Sequence, residues 1–193
     1  MDKYLSAAGR GPKAWLLSRR GHVWTVVVLL ALVTVMCVPV WGPLRAQVAE
    51  RLPDTSAEAV TLGAAVGWTA LTIGNLATVG VLMALISVVG AGLVRWVGGS
   101  GDFARARRGF ALGWVAFVVL RAGGWLLLPG PADGEAAAAV PSVVRADAGV
   151  LLMLPLAVCV AWGLCELSLR RALLAGGALG GLFATSCLGL SGL

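Results

Sequence analysis

Charge is missing from long stretches of this chain and concentrated between them. Residues 21–44, 59–94, 109–132, 148–165 and 172–193 hold one histidine, His22, one arginine, Arg121, and no lysine, aspartate or glutamate. Apolar side chains recur all round the helical wheel in these runs rather than on one stripe, the pattern of an element surrounded by apolar material. A spanning helix needs roughly 20 such residues. Run 59–94 is too short for two spans and a turn, so it predicts one tilted span with an approach segment. Backbone amides in hydrocarbon must bond within their own segment, which predicts helices rather than strands. The expected fold class is therefore all-α: a polytopic membrane protein with five transmembrane helices, at about 23–42, 70–94, 110–128, 148–167 and 172–191. Residues 1–22 read as a basic interfacial segment, and 23–193 as the five-helix membrane domain.

Composition removes the soluble alternative. The chain is 59% apolar and 12% charged, with a mean hydropathy of +0.92. Soluble domains average nearer half apolar and a quarter charged. The net charge of +6 is unevenly placed. Lys3, Arg10, Lys13, Arg19 and Arg20 precede span 1. Arg95, Arg105, Arg107 and Arg108 lie between spans 2 and 3, and Arg170 and Arg171 between spans 4 and 5. Only Arg45, Arg51, Arg121 and Arg145 belong to the opposite side. Basic residues stay on the cytoplasmic side, so the N-terminus is expected in the cytoplasm and the C-terminus outside.

The segment "VGGSGDFARARRGF" then becomes a cytoplasmic loop, with Asp102 as cap of a short helix beginning near Phe103. Arg105 and Arg108 share a face at i, i+3, and Arg105, Arg107 and Arg108 together are expected to contact anionic headgroups or an acidic partner. Trp15, Trp24, Trp41 and Trp96 fall where an interfacial belt belongs, whereas Trp114 and Trp162 read as packed residues. Span 1 reads as a retained anchor, 45–58 as a polar loop, and 129–147 as a flexible connector.

Candidate chemistry is sparse. Cys37, Cys159, Cys165 and Cys187 sit in apolar runs with no C-x-x-C and no histidine pairing, so they read as small apolar residues. One histidine excludes bis-histidine haem ligation and the metalloprotease helix motif. "GGSG" lacks the Lys-Ser/Thr of a phosphate loop. No cofactor, metal or nucleic acid is expected, and no catalytic constellation is visible. Polar groups at membrane depth are Asn75, Arg121 and Glu166, functional candidates by default. Arg121 can snorkel or pair with Asp147, and Glu166 can pair with Arg170 at i, i+4. In "LLAGGALGGLF", Gly176 with Gly180 and Gly177 with Gly181 form overlapping Gly-x-x-x-Gly pairs, for packing within the chain ahead of dimerisation.

The order of these elements, with Gly98, Gly99, Gly101 and Phe103 in a Gly-Gly-x-Gly-x-Phe loop between spans 2 and 3, resembles the Yip1-domain family in its bacterial form. "PKAWLLSRRGHVW" ahead of span 1 is similar to that family's approach segment. Span 3 departs from it: "ALGWVAFVVL" stands where the family has an Ala-Tyr pair and a proline. The Asp-Leu-Tyr-Gly-Pro stretch of eukaryotic members is also missing, so their Rab-linked role does not carry over. Two lysines against 13 arginines, with abundant Ala, Gly and Val, point to a high-GC bacterial genome. The resemblance implies a plasma (inner) membrane protein, and with no catalytic constellation visible the leading expectation is a protein that is not an enzyme and acts through lipid or protein contacts. Its expected partners are the bilayer, anionic headgroups at the cytoplasmic face, and a membrane protein or a second copy. The competing expectation is a small transporter or channel subunit with Asn75 and Arg121 along a polar path.

Overall fold

Each break between helices has a local cause. A computed structural model describes residues 15–99, 102–127 and 148–190 of the chain, those at 125–127 and 188–190 by backbone only. Ser18 opens the first helix, α1 (Arg19–Cys37), by accepting the Gly21 N–H at 3.1 Å, which satisfies one donor of the first turn. Pro39 has no N–H to offer, and the backbone tightens into a 3₁₀ turn, Val38–Val40, where the Val38 N–H bonds the Val35 carbonyl. The chain then continues as α2 (Trp41–Arg51), making a 33-residue rod from Arg19 to Arg51. Most of the expected 45–58 loop is therefore helix. Only 52–56 turns, because Ser56 caps the next helix by accepting the Ala59 N–H.

That next helix, α3 (Ala57–Trp96), runs 40 residues without a break, with Glu58 in its first turn and Arg95 in its last. Both charges oppose the helix dipole's end charges. It carries run 59–94 as a single element, as its length requires. After the arginine loop, α4 (Phe103–Leu127) is one 25-residue helix rather than a short helix followed by a span. Asp102 holds its start, accepting the Ala104 N–H at 3.0 Å. The fourth apolar run is irregular: a 3₁₀ turn Ala148–Leu152, a short α5 (Met153–Cys159), and a π turn Val160–Leu164. It ends at Leu164, three residues before the expected boundary. The last helix is α6 (Leu169–Leu190). The described residues contain no strand.

Two helical segments, Arg19–Arg51 and Ala57–Trp96, are long and apolar enough to cross a membrane by length and composition, and Ala148–Leu164 is a shorter apolar helix. The helices pack through size matching. The Phe110 ring of α4 occupies the space a side chain at Gly90 of α3 would need, within 2.6–2.8 Å of that Cβ position. Trp114, fully buried, stacks on Phe117 at 5.3 Å and meets the edge of Phe183 of α6 at 5.6 Å. Its indole N–H donates to the Val79 carbonyl of α3. Trp114 is thus the packed residue the sequence suggests. Of the two overlapping glycine pairs on α6, Gly176 and Gly180 lie against the backbone of Val158 and Leu154, while Gly177 and Gly181 face open space.

Candidate interfacial site at the arginine-rich end

The end of α3 is closed by a glycine turn. Gly98 adopts φ +81°, a left-handed conformation that only glycine enters freely. This lets the Gly98 N–H reach the Arg95 carbonyl (3.0 Å) and the Gly99 N–H the Val94 carbonyl (2.9 Å), a Schellman closure of the helix. A Cβ on Gly99 would lie 2.7 Å from that same Val94 oxygen. Two of the four loop-motif residues thus have a backbone reason, and Phe103 has another: it lies under the Arg95 guanidinium, 6.0 Å from ring centre. Gly101 falls outside the described residues.

The turn draws three parts of the chain together. Arg105 forms an ion pair with Glu166 at 3.0 Å. Arg108 donates to the Leu17 carbonyl at 2.7 Å, and Arg171 donates to the Gly98 carbonyl at 3.2 Å. The segment before α1, the α3–α4 turn and the α5–α6 turn therefore meet at one end of the fold. Residues that share a helix face, Arg105 and Arg108, go to different partners on opposite sides. Glu166 does not pair with Arg170. The chain has left the helix at Leu164, and Glu166 takes φ +59° in the turn, so no i, i+4 relation exists between them. Such a φ costs a non-glycine residue about 1 kcal/mol, and the bond from Leu167 N–H to the Ala161 carbonyl closes the turn around it. A cavity of about 50 Å³ lies beside the pair, between Val94, Asp102, Arg105, Leu164 and Cys165.

Arg107 is exposed. It stands near His22, ahead of the apolar run that starts at Val23; partial burial, then Arg107 and Arg108, hold the His22 pKa below its ordinary value. Arg19, Arg20 and Arg170 are exposed at the same end. Arg19, Arg20, Arg107 and Arg170 form no ion pair among the described residues. Three helices, α1, α4 and α6, also begin here, so their positive dipole ends add to the arginines. Exposed tryptophans ring the same end: Trp24 (60%), Trp96 (80%), Trp162 (58%) and Trp15. Trp162, expected in the core, sits in the π turn with its ring outward. Trp41 does not stand alone as a belt residue; it meets the edge of Trp68 at 6.4 Å.

The polar residues of the apolar runs are dispersed. Asn75 contacts the Cys37 sulfur at 3.9 Å. Arg121 is half-buried, 18 residues beyond Phe103, about 27 Å along α4, and Asp147 falls outside the described residues. Glu166 belongs to the arginine-rich end. Cys37 and Cys187 are buried as small apolar residues, but Cys159 is exposed and Cys165 lies past the helix end. The carbonyl acceptors Leu17 and Gly98 have no signature in the sequence, since any residue carries one.

The Arg105–Glu166 pair is open to solvent, with side chains 45% and 62% exposed. Exposed pairs are worth less than about 1 kcal/mol. Arg105→Gln and Glu166→Gln should each lower unfolding stability by under about 1 kcal/mol, and the double variant should cost no more than the larger single. An effect of several kcal/mol in a denaturant titration would show the pair to be buried in the folded assembly. No protein-family model matches the chain, and no curated protein or solved structure matches it either.

Proposed function

We propose that the chain is a five-span helical membrane protein of a bacterial plasma membrane, with its N-terminus in the cytoplasm and its C-terminus outside. In this reading it is not an enzyme; it acts through lipid or protein contacts at its arginine-rich end, as the resemblance to Yip1-domain proteins suggests. One observation carries the reading: exposed arginines and exposed tryptophans coincide at one end of the helices. Tryptophan rings sit at headgroup depth, and each basic residue near an anionic leaflet gains on the order of 1 kcal/mol. Arg105 and Arg108 also tie the turn together, so Arg107 with Arg19 and Arg20 is the part of the cluster most open to an anionic headgroup.

Two measurements test this. A reporter active only outside the cell should be silent after Gly101 and active after Gly134 and after Leu193; activity at Gly101 reverses the orientation. Purified in mild detergent, the protein should retain anionic phospholipid at low salt and lose it at high salt. With Arg19, Arg20 and Arg107 all replaced by glutamine, retention should drop several-fold and lose its salt dependence. Unchanged retention would remove the headgroup contact from the reading.

A further inference from the structure

A threonine inside a helix has an acceptor at hand, the carbonyl four residues back. Thr25, Thr34, Thr61, Thr69, Thr78 and Thr185 all use it, donating at 2.8–2.9 Å. Thr72 of α3 does not. It is buried, at 7% exposure, and its hydroxyl oxygen has no hydrogen-bond partner among the described residues. A buried hydroxyl without a partner destabilises a fold, and the remedy the other threonines use lies one turn away. A polar atom left in this state marks a place where a group from outside the chain completes the bond.

Its neighbours turn that atom into a site. At 3.6 residues per turn, Trp68, Thr72 and Asn75 fall within about 60° on one face of α3. That face meets α1 where its regular helix stops. The Trp68 indole N–H donates to the Cys37 carbonyl at 2.8 Å, and the Asn75 amide nitrogen lies 3.9 Å from the Cys37 sulfur. Thr72 stands between these two contacts, so the α1–α3 interface encloses its hydroxyl. Sulfur is a weak acceptor, and the contact leaves the Asn75 amide with an oxygen and a nitrogen to offer. Residues at i and i+3 stand about 5–6 Å apart at Cβ, close to the span of two hydrogen bonds of about 2.8 Å through one oxygen. Met36 and Val40, beside Cys37 along the chain, and Val79, two turns beyond Thr72, are buried at 2–3% exposure. A charged ligand among such apolar walls would be strongly disfavoured.

We propose that α1 and α3 enclose a binding site for water, held by the Thr72 hydroxyl and the Asn75 amide. A buried water makes about two to four hydrogen bonds, and Thr72 Oγ1, Asn75 Oδ1 and Asn75 Nδ2 supply three. The water accepts from the Thr72 O–H and donates to Asn75 Oδ1, which satisfies both side chains at once. The site lies beside the 3₁₀ turn Val38–Val40, so the bound water ties α3 to the point where the α1 ladder is interrupted. The inference goes beyond the lipid- or partner-contact reading and holds for the helix pair whether or not it spans a membrane.

The test uses the full chain in detergent, with water itself as the probe. A short X-ray pulse makes hydroxyl radicals from bound water, and these oxidise the side chain next to it. In heavy-oxygen water, Cys37 should take up label several-fold faster than Cys187, although the two thiols are 1% and 3% exposed. Thr72→Val should bring Cys37 down to the Cys187 level, and Thr72→Ser, which keeps the hydroxyl, should not. The stability of Thr72→Val gives an independent sign. A hydroxyl bonded to water loses that bond, and the denaturation midpoint falls. A hydroxyl with no partner at all is better replaced by a methyl group, and the midpoint rises. A hydroxyl that turns back to the Trp68 carbonyl, as in the other threonines, leaves the midpoint in place. Labelling of Cys37 no faster than Cys187 in the unmodified chain overturns the proposal even if the variants fail to fold, and so does a midpoint that is unchanged or raised.

Discussion

Trp114→Ala should lower the unfolding free energy by about 3 kcal/mol, the low end of the range for emptying an aromatic core site. The site is fully closed: Trp114, Phe110 and Phe117 are among the largest buried side chains, each at 1% exposure or less. Trp114 and Phe117 of α4 stack on each other, and both meet Phe183 of α6, with 5.3–5.6 Å between ring centres. Two of these ring contacts vanish with the indole, at roughly 0.5–1.5 kcal/mol each. The bond to the Val79 carbonyl goes as well. In the proposed membrane reading the low end applies, because helices separated within lipid still rest in apolar surroundings and the loss is packing and cavity rather than transfer from water. Trp114→Phe should recover more than half of the loss, keeping the ring and surrendering the N–H. The measurement is a denaturing-detergent titration followed by the protection of a buried cysteine such as Cys187. A loss under 1 kcal/mol would mean that α4 and α6 are not held together at these rings.

Gly176→Val should cost about 3 kcal/mol, whereas Gly177→Val, one residue along, should change stability by less than about 0.5 kcal/mol. The contrast follows from what each added carbon would meet. At Gly176 it would stand 2.5 Å from the Val158 nitrogen and 2.6 Å from its Cα. Those are backbone atoms and cannot rotate aside, so α5 and α6 must separate along the whole contact. At Gly177 nothing lies within 4 Å, and valine has a somewhat better helix propensity than glycine. Gly180→Val should follow Gly176, since its Cβ would stand 2.7 Å from the Leu154 Cα. Equal costs at Gly176 and Gly177 would mean that α6 is rotated about its axis from the arrangement described.

These sites show how much of the protein can be read along the chain. That the chain is helical was legible, because long stretches without charge are a local property of the sequence. The Asp102 cap was legible for the same reason: a cap acts on a donor two or three residues away. The burial of Trp114 was legible from its place deep in an apolar run, and Trp162 was not. Its exposure depends on a π turn that shifts the helix's facing, and five-residue backbone spacing has no marker in "VAWGL".

Partners were the part that remained hidden. Both glycine pairs of α6 have the same spacing, and only the rotation of α6 against α5 separates the packed pair from the open one. Arg105 and Arg108 look equivalent on a helical wheel, but their partners stand 61 and 91 residues away, at Glu166 and Leu17. Glu166 was placed on a helix with Arg170 because the run stays apolar to Cys165, while the turn that removes it is closed by backbone bonds. Length, charge and local caps follow from neighbours along the chain; which face of each helix is covered depends on where the other helices lie, and that is a property of the packed assembly.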